Sequence, residues 1–149
     1  MSFNLTKAAK ATRVSNAVAA GTTDVECSSV DMKGFRSVTF VVAFGAITSG
    51  AVTSVKAQQS SDNGVADSFA DLEGTAISVD DDDDNQIVLL EIDEPLERYV
   101  RLVVDRGTQN AVVDGVVALQ HNAAIEPVTH DSTTLCDSEY HHAPAEGTA

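Results

Sequence analysis

Five consecutive aspartates, Asp80 to Asp84, followed by Asn85, are the residues of this chain best suited by type and spacing to do chemistry. Loop carboxylates at alternate positions can converge on a calcium ion, which takes about six to eight oxygen ligands. This run lacks the glycine that turns an EF-hand loop and the glutamate that closes it. Five adjacent like charges also repel one another. The expectation is therefore an exposed, solvated and mobile connection between strands, holding no metal.

The other candidates for chemistry are weaker. His121, His130, His141 and His142 lie in the last third of the chain with Cys136. Adjacent His141 and His142 would point in different directions on an extended backbone, and no paired Cys or carboxylate stands at zinc spacing. The chain has no glycine-rich phosphate loop, no nucleophile elbow and no Ser/His/Asp order that its strands would assemble. Pairs such as Asp93-Glu94 arise by chance in an acidic protein. No catalytic residue and no cofactor is expected, and the chain reads as a scaffold rather than an enzyme.

The elements that would position these residues are short and β-like. Candidate strands are Thr12–Ala19, Asp24–Asp31, Ser37–Phe44, Thr53–Gln59, Gln86–Ile92, Arg98–Val104 and Val112–Leu119, with a weaker one over Ala66–Leu72. Turn signals separate them, among them Lys33-Gly34, Ser49-Gly50, Asp62-Asn63-Gly64, Glu94-Pro95 and Asp114-Gly115. Many short strands with regular turn chemistry point to an antiparallel β-sandwich. Alternation places Val38, Phe40, Val42, Val100, Leu102 and Leu119 inside. Val41 on the opposite face, and Leu89 between Val88 and Leu90, suggest strands covered on both sides, centrally in a sheet or under a subunit contact.

Composition agrees. The chain has 149 residues, 43% of them hydrophobic, no Trp and few aromatics. A valine-rich aliphatic core of this kind suits pleated strands better than helices. The formal net charge is −14 and unevenly spread. Residues 1–23 carry Lys7, Lys10 and Arg13 and no acid, so the rest of the chain holds −17. Such a body repels nucleic acid and anionic membranes, so neither is expected as a partner. The N-terminus lacks the apolar run of a secretory signal, which suggests synthesis in a cytoplasm. Two widely spaced thiols, Cys27 and Cys136, form no disulfide framework.

Residues 1–11 read as an N-terminal arm, residues 12–121 as the sandwich and residues 122–149 as an extended C-terminal tail. In the arm, Phe3 and Leu5 alternate with polar residues, and Lys7, Lys10 and Arg13 follow. Lys7–Ala11 could close a single helical turn, but alone it would be marginal. Phe3, Leu5, Lys7, Lys10 and Arg13 are expected to form a subunit contact, apolar groups inserting while cations meet a neighbour's carboxylates.

Several short phrases carry a resemblance. They are Gly34-Phe35-Arg36-Ser37-Val38-Thr39-Phe40-Val41-Val42 with Gly45-Ala46-Ile47, Ser60-Ser61-Asp62-Asn63-Gly64, and Arg98-Tyr99-Val100-Arg101. Across about residues 20–121 the chain resembles the small head decoration, or cement, proteins of tailed bacteriophages. The resemblance implies a jelly-roll-like sandwich that coats the outer surface of an expanded shell and bridges neighbouring major capsid protein subunits. It also implies a homo-oligomer, with a trimer favoured, and no catalytic residues. The alternative is a phage tail or adhesion module binding a carbohydrate or receptor through sandwich loops. A calcium-dependent accessory domain would rest on Asp80–Asp84 alone.

Overall fold

The computed structural model describes residues 4–149. Its elements begin with a helical turn, α1 (Leu5–Ala8), and the strands β1 (Lys10–Ser15), β2 (Val18–Gly21), β3 (Val25–Glu26) and β4 (Val30–Asp31). Two long strands follow, β5 (Phe35–Ile47) and β6 (Val52–Ser60), then the short β7 (Ala70–Asp71) and β8 (Ile77–Val79). The chain returns through β9 (Ile87–Asp93), β10 (Tyr99–Gly107) and β11 (Ala111–Ala123).

Every strand pair is antiparallel. Sheet I runs β1-β11-β5-β9, with β2 also on β11. Sheet II runs β3-β10-β6-β7, with β4 also on β10 and β8 on β6. If β1 with β2, β3 with β4, and β7 with β8 each count as one interrupted strand, the sheets read 1-8-3-6 and 2-7-4-5. That succession is a jelly roll, two antiparallel sheets face to face. The expected all-β sandwich is the fold observed.

Alternation explains the core. Val38, Phe40 and Val42 of β5 are fully buried, as are Val100 and Leu102 of β10. Val55 and Ala57 of β6 meet them from sheet II. Gly34 closes the β4–β5 turn at φ +86°, where Phe35 N–H donates to Met32 O at 2.9 Å. Any side chain there would be strained in the left-handed region, although no atom blocks it.

Leu119 departs from the expectation. It is only half-buried and faces outward. The cause is a pair of register shifts in β11, between Ala111 and Val113 and between Val113 and Gly115. Before the second of these Ala111 and Val113 point inward; after it Val116, Ala118 and Gln120 do. A β-bulge adds a residue on one strand, so the side-chain parity flips. Gln120 thus occupies the interior at 2% exposure, and its Nε2 donates to Asp31 O at 2.8 Å.

A second polar group is internal. Arg106 is buried, its Nε donating to Thr23 O at 2.7 Å and its Nη1 to Ala19 O at 2.9 Å and Ala111 O at 2.7 Å. It ties β2 and the β2–β3 connection to the start of β11, satisfying carbonyls that would otherwise be orphaned.

Candidate docking surface

Of the five expected contact residues, Phe3 lies outside the described residues. The first described residues are not the extended arm expected from sequence. Leu5–Ala8 form the turn α1, with Lys7 and Ala8 N–H groups both donating to Asn4 O at 2.9 Å. A lone turn is marginal in water. Here Ala8 and Ala9 are buried, and the tail clamps the turn from outside. Val128 N–H donates to Lys7 O at 2.8 Å, and His130 Nε2 donates to Thr6 O at 2.8 Å. Lys7 Nζ sits 5.6 Å from the centre of the Tyr140 ring. Lys10 and Arg13 belong to β1, opposite Gln120 and Val117. Leu5, at 55% exposure, stays open.

The register then reveals a surface on sheet I. Arg13, Val117, Val41 and Leu89 form one row across β1, β11, β5 and β9. Ala11, Leu119, Thr39 and Glu91 form the next, and Gly115, Ala43 and Ile87 lie on the other side. Ile87 is 61% and Leu89 59% exposed. The centre of this outer face is apolar, with Arg13 at one margin and Glu91 at the other. A groove of about 410 Å³ runs between α1 and the sheet, lined by Leu5, Ala8, Val41, Leu89, Leu119 and His121. His121 Nε2 lies 3.0 Å from Thr39 Oγ1 and 3.4 Å from Glu91 Oε1.

The outer face of sheet II is the opposite in character. Arg101 spans Glu26 at 3.1 Å and Gln58 Oε1 at 2.8 Å, and stacks 4.3 Å from the centre of Phe69. Lys56 Nζ pairs with Asp71 at 3.1 Å and Asp105 at 3.7 Å. These cross-strand pairs satisfy one another, and Val103, opposite Lys56 and Glu26, is buried although it points outward. Exposed pairs of this kind add little stability, but they make a face that is content in water.

Asp80, Asp82 and Asp84 are exposed while Asp81 and Asp83 are half-buried, and the run is more than solvated charge. Asp81 Oδ2 accepts Gly50 N–H at 2.6 Å, and Asp84 Oδ1 accepts Ile47 N–H at 3.2 Å. Asp83 Oδ2 accepts Asp80 N–H at 2.9 Å. These carboxylates therefore fasten the β8–β9 connection to the β5–β6 turn. Among the described residues, no group of three or more His, Cys, Asp or Glu side chains is placed to hold a metal ion.

The thiols are free. Burial pushes the Cys27 thiol up to about 12, with Arg101 pulling weakly the other way. Cys136 is exposed in the tail. The remaining histidines are not brought together: His130 caps Thr6, while His141 Nε2 lies 2.6 Å from Glu139. No protein-family model matches this chain, and no curated protein matches it.

Proposed function

We propose that this is a structural virion protein of a tailed phage, a head decoration protein without enzymatic activity. In this reading it docks on the outside of the capsid through the outer face of sheet I and bridges neighbouring major capsid protein subunits. The observation that carries the reading is the contrast between the two outer faces. One carries exposed Ile87 and Leu89 beside half-buried Val41 and Val117, and the other is laced with Arg101, Lys56 and their acidic partners. A sandwich that is apolar on one outer face and ionic on the other has a side to bury and a side to leave wet.

Bridging suits such a shape. Each copy buries a modest area, and many copies on one closed lattice act together, so the shell resists rupture beyond what one contact supplies. Copies grouped as trimers over local symmetry axes would each span a joint. The chain's net charge of −14 keeps coated particles apart. Synthesis would be in the host cytoplasm, followed by addition to the shell.

A tail or adhesion module that reads sugars needs free aromatic rings on its loops. Among the described residues, three rings outside the core are engaged: Arg98 lies 5.2 Å from Tyr99, Lys7 covers Tyr140 and Arg101 covers Phe69. The test is co-sedimentation with expanded shells of the phage that carries this gene. Val41→Lys with Val117→Lys should abolish binding, while Gln58→Ala on the opposite face should leave it intact. Binding that survives the first pair and is lost with the second would overturn the reading.

A further inference from the structure

We propose that the free edge of β9 takes up an extended segment of the capsid subunit by strand addition, a segment apolar at alternate positions and flanked by Lys or Arg. The inference rests on the shell-docking reading and names its mode of recognition.

Sheets usually protect their edges. Here β3, β4 and β7 are two residues long, β8 is three, and β1 is broken by a register shift at Arg13/Ser15. Strand β9 is different. It pairs with β5 through an unbroken register from Ser37↔Asp93 to Ala43↔Ile87 and, among the described residues, has no strand on its other side. It carries no Pro, no Lys and no bulge, and Ile87 and Leu89 stand exposed.

The pairing parity fixes which backbone groups are free. Phe44 N–H donates to Gln86 O at 3.0 Å, and Glu94 N–H donates to Arg36 O at 2.9 Å. Positions 86 and 94 are thus hydrogen-bonded to β5, and in an unbroken antiparallel ladder 88, 90 and 92 share that state. Ile87, Leu89 and Glu91 therefore turn their N–H and C=O groups away from the sheet. An added strand would meet those groups along its length.

Its side chains would alternate between two apolar surfaces. One is the outer face at Ile87 and Leu89. The other is a groove of about 280 Å³ between β8 and β9, lined by Phe44, Ile77, Val79 and Val88. Main-chain bonds supply affinity and alternate pockets supply selection in this mode.

Charge decides the partner. Asp80–Asp84 precede β9, while Glu91, Asp93 and Glu94 close it. The nearby cation, Arg36, is already paired with Asp93 at 3.1 Å and Glu94 at 3.2 Å. Basic flanks on the incoming segment complement this edge. A second copy of the chain would bring acid against acid.

The experiment compares wild type, Leu89→Ala and Leu89→Pro for binding to the same expanded shells. Alanine removes the side chain and keeps the outward N–H. Proline also removes that N–H, which makes no bond within the sheet, and proline is tolerated at such edge positions. We expect Leu89→Pro to bind at least about tenfold more weakly than Leu89→Ala, and affinity to fall as salt rises. Equal binding of the two variants, or affinity that does not fall with salt, overturns strand addition by a basic-flanked segment while leaving the shell reading standing. Should Leu89→Pro fail to fold, amide exchange in the wild type decides. Exchange at Ile87, Leu89 and Glu91 should slow on shell binding, and unchanged exchange overturns the inference. Dimerisation of the free chain that Leu89→Pro abolishes assigns the edge to a second copy and overturns the partner proposed. Wild type that binds no shell overturns the shell reading, and this inference with it.

Discussion

Asp81 accepts the backbone N–H of Gly50 at 2.6 Å, so a residue of the most acidic stretch in the chain holds a turn thirty-one positions earlier. Gly50 sits at φ +84°, and Ala51 N–H donates to Thr48 O at 3.0 Å to close that turn. With Asp84 on Ile47, the contact fastens the β8–β9 connection to the β5–β6 turn, both of which cross from one sheet to the other. Asp81→Ala should cost about 1 kcal/mol, read as a fall of about 2–4 °C in the thermal midpoint. Asp82→Ala, whose carboxylate makes no such bond among the described residues, should change little. Equal effects from the two variants would show that the run acts only as bulk charge.

Stability should fall as pH drops below about 4, the ordinary carboxylate range. Arg98 holds the Asp31 carboxyl below its usual value, chiefly by a bidentate hydrogen bond at 2.7 and 2.8 Å. Ser37 and then Arg36 do the same for Asp93, and the Ala66, Asp67 and Val65 backbone N–H groups for Asp62. A depressed folded pKa contributes stability above the unfolded value that is lost as pH falls through the folded one. Asp31→Asn should therefore flatten the acid limb of a midpoint-versus-pH curve. A limb of unchanged slope would remove Asp31 from the account.

Glu97 has the opposite sign. Burial, then the charge of Asp67, raises its pKa, so its contribution is present at low pH and lost as pH rises through the folded value. Glu97→Gln should be neutral to stabilising at pH 7 and should lose any advantage below about pH 4. Destabilisation at pH 7, measured by urea unfolding, would contradict the assignment.

Phe40 and Leu119 separate the core from the docking face. Phe40→Ala should cost about 3–5 kcal/mol, because the ring is fully buried between the sheets. Leu119→Ala should cost much less in urea unfolding and weaken shell binding. A cost at Leu119 equal to that at Phe40 would return it to the interior.

Cys27 and Cys136 should differ in reactivity. A thiol raised to about 12 by burial supplies almost no thiolate near pH 8, so alkylation should mark Cys136 and spare Cys27 in the folded chain. Cys27→Ser should lower stability by about 1–3 kcal/mol where the new hydroxyl lacks a partner. Rapid labelling of native Cys27 would contradict its burial.

The strands of the core were readable because Val38, Phe40, Val42 and Phe44 alternate without interruption. Leu119 was not, because the bulge near Asp114-Gly115 shifts parity and its residues read as a turn. Arg106 beside Gly107 has the look of a surface turn, and only the three converging carbonyls make it internal. Three-residue β8 gave no periodic signal. Val41 and Leu89 hinted at a second covered face, but the row they form with Val117 depends on long-range register, which no local pattern carries. The arm's residues drew notice for charge, whereas Ala8 and Ala9 are what hold the turn against β11.

Deleting residues 2–11 removes α1 and the first two residues of β1 and opens β11, so the thermal midpoint should fall along with shell binding.

The most direct measurement of the central claim is a cryo-electron microscopy reconstruction of coated shells. The account predicts Val41, Val117 and Leu89 of sheet I against the capsid surface, with Arg101 and Lys56 of sheet II turned to solvent. Shell contacts made by Arg101 and Lys56, with Val41 and Val117 left in water, would contradict it.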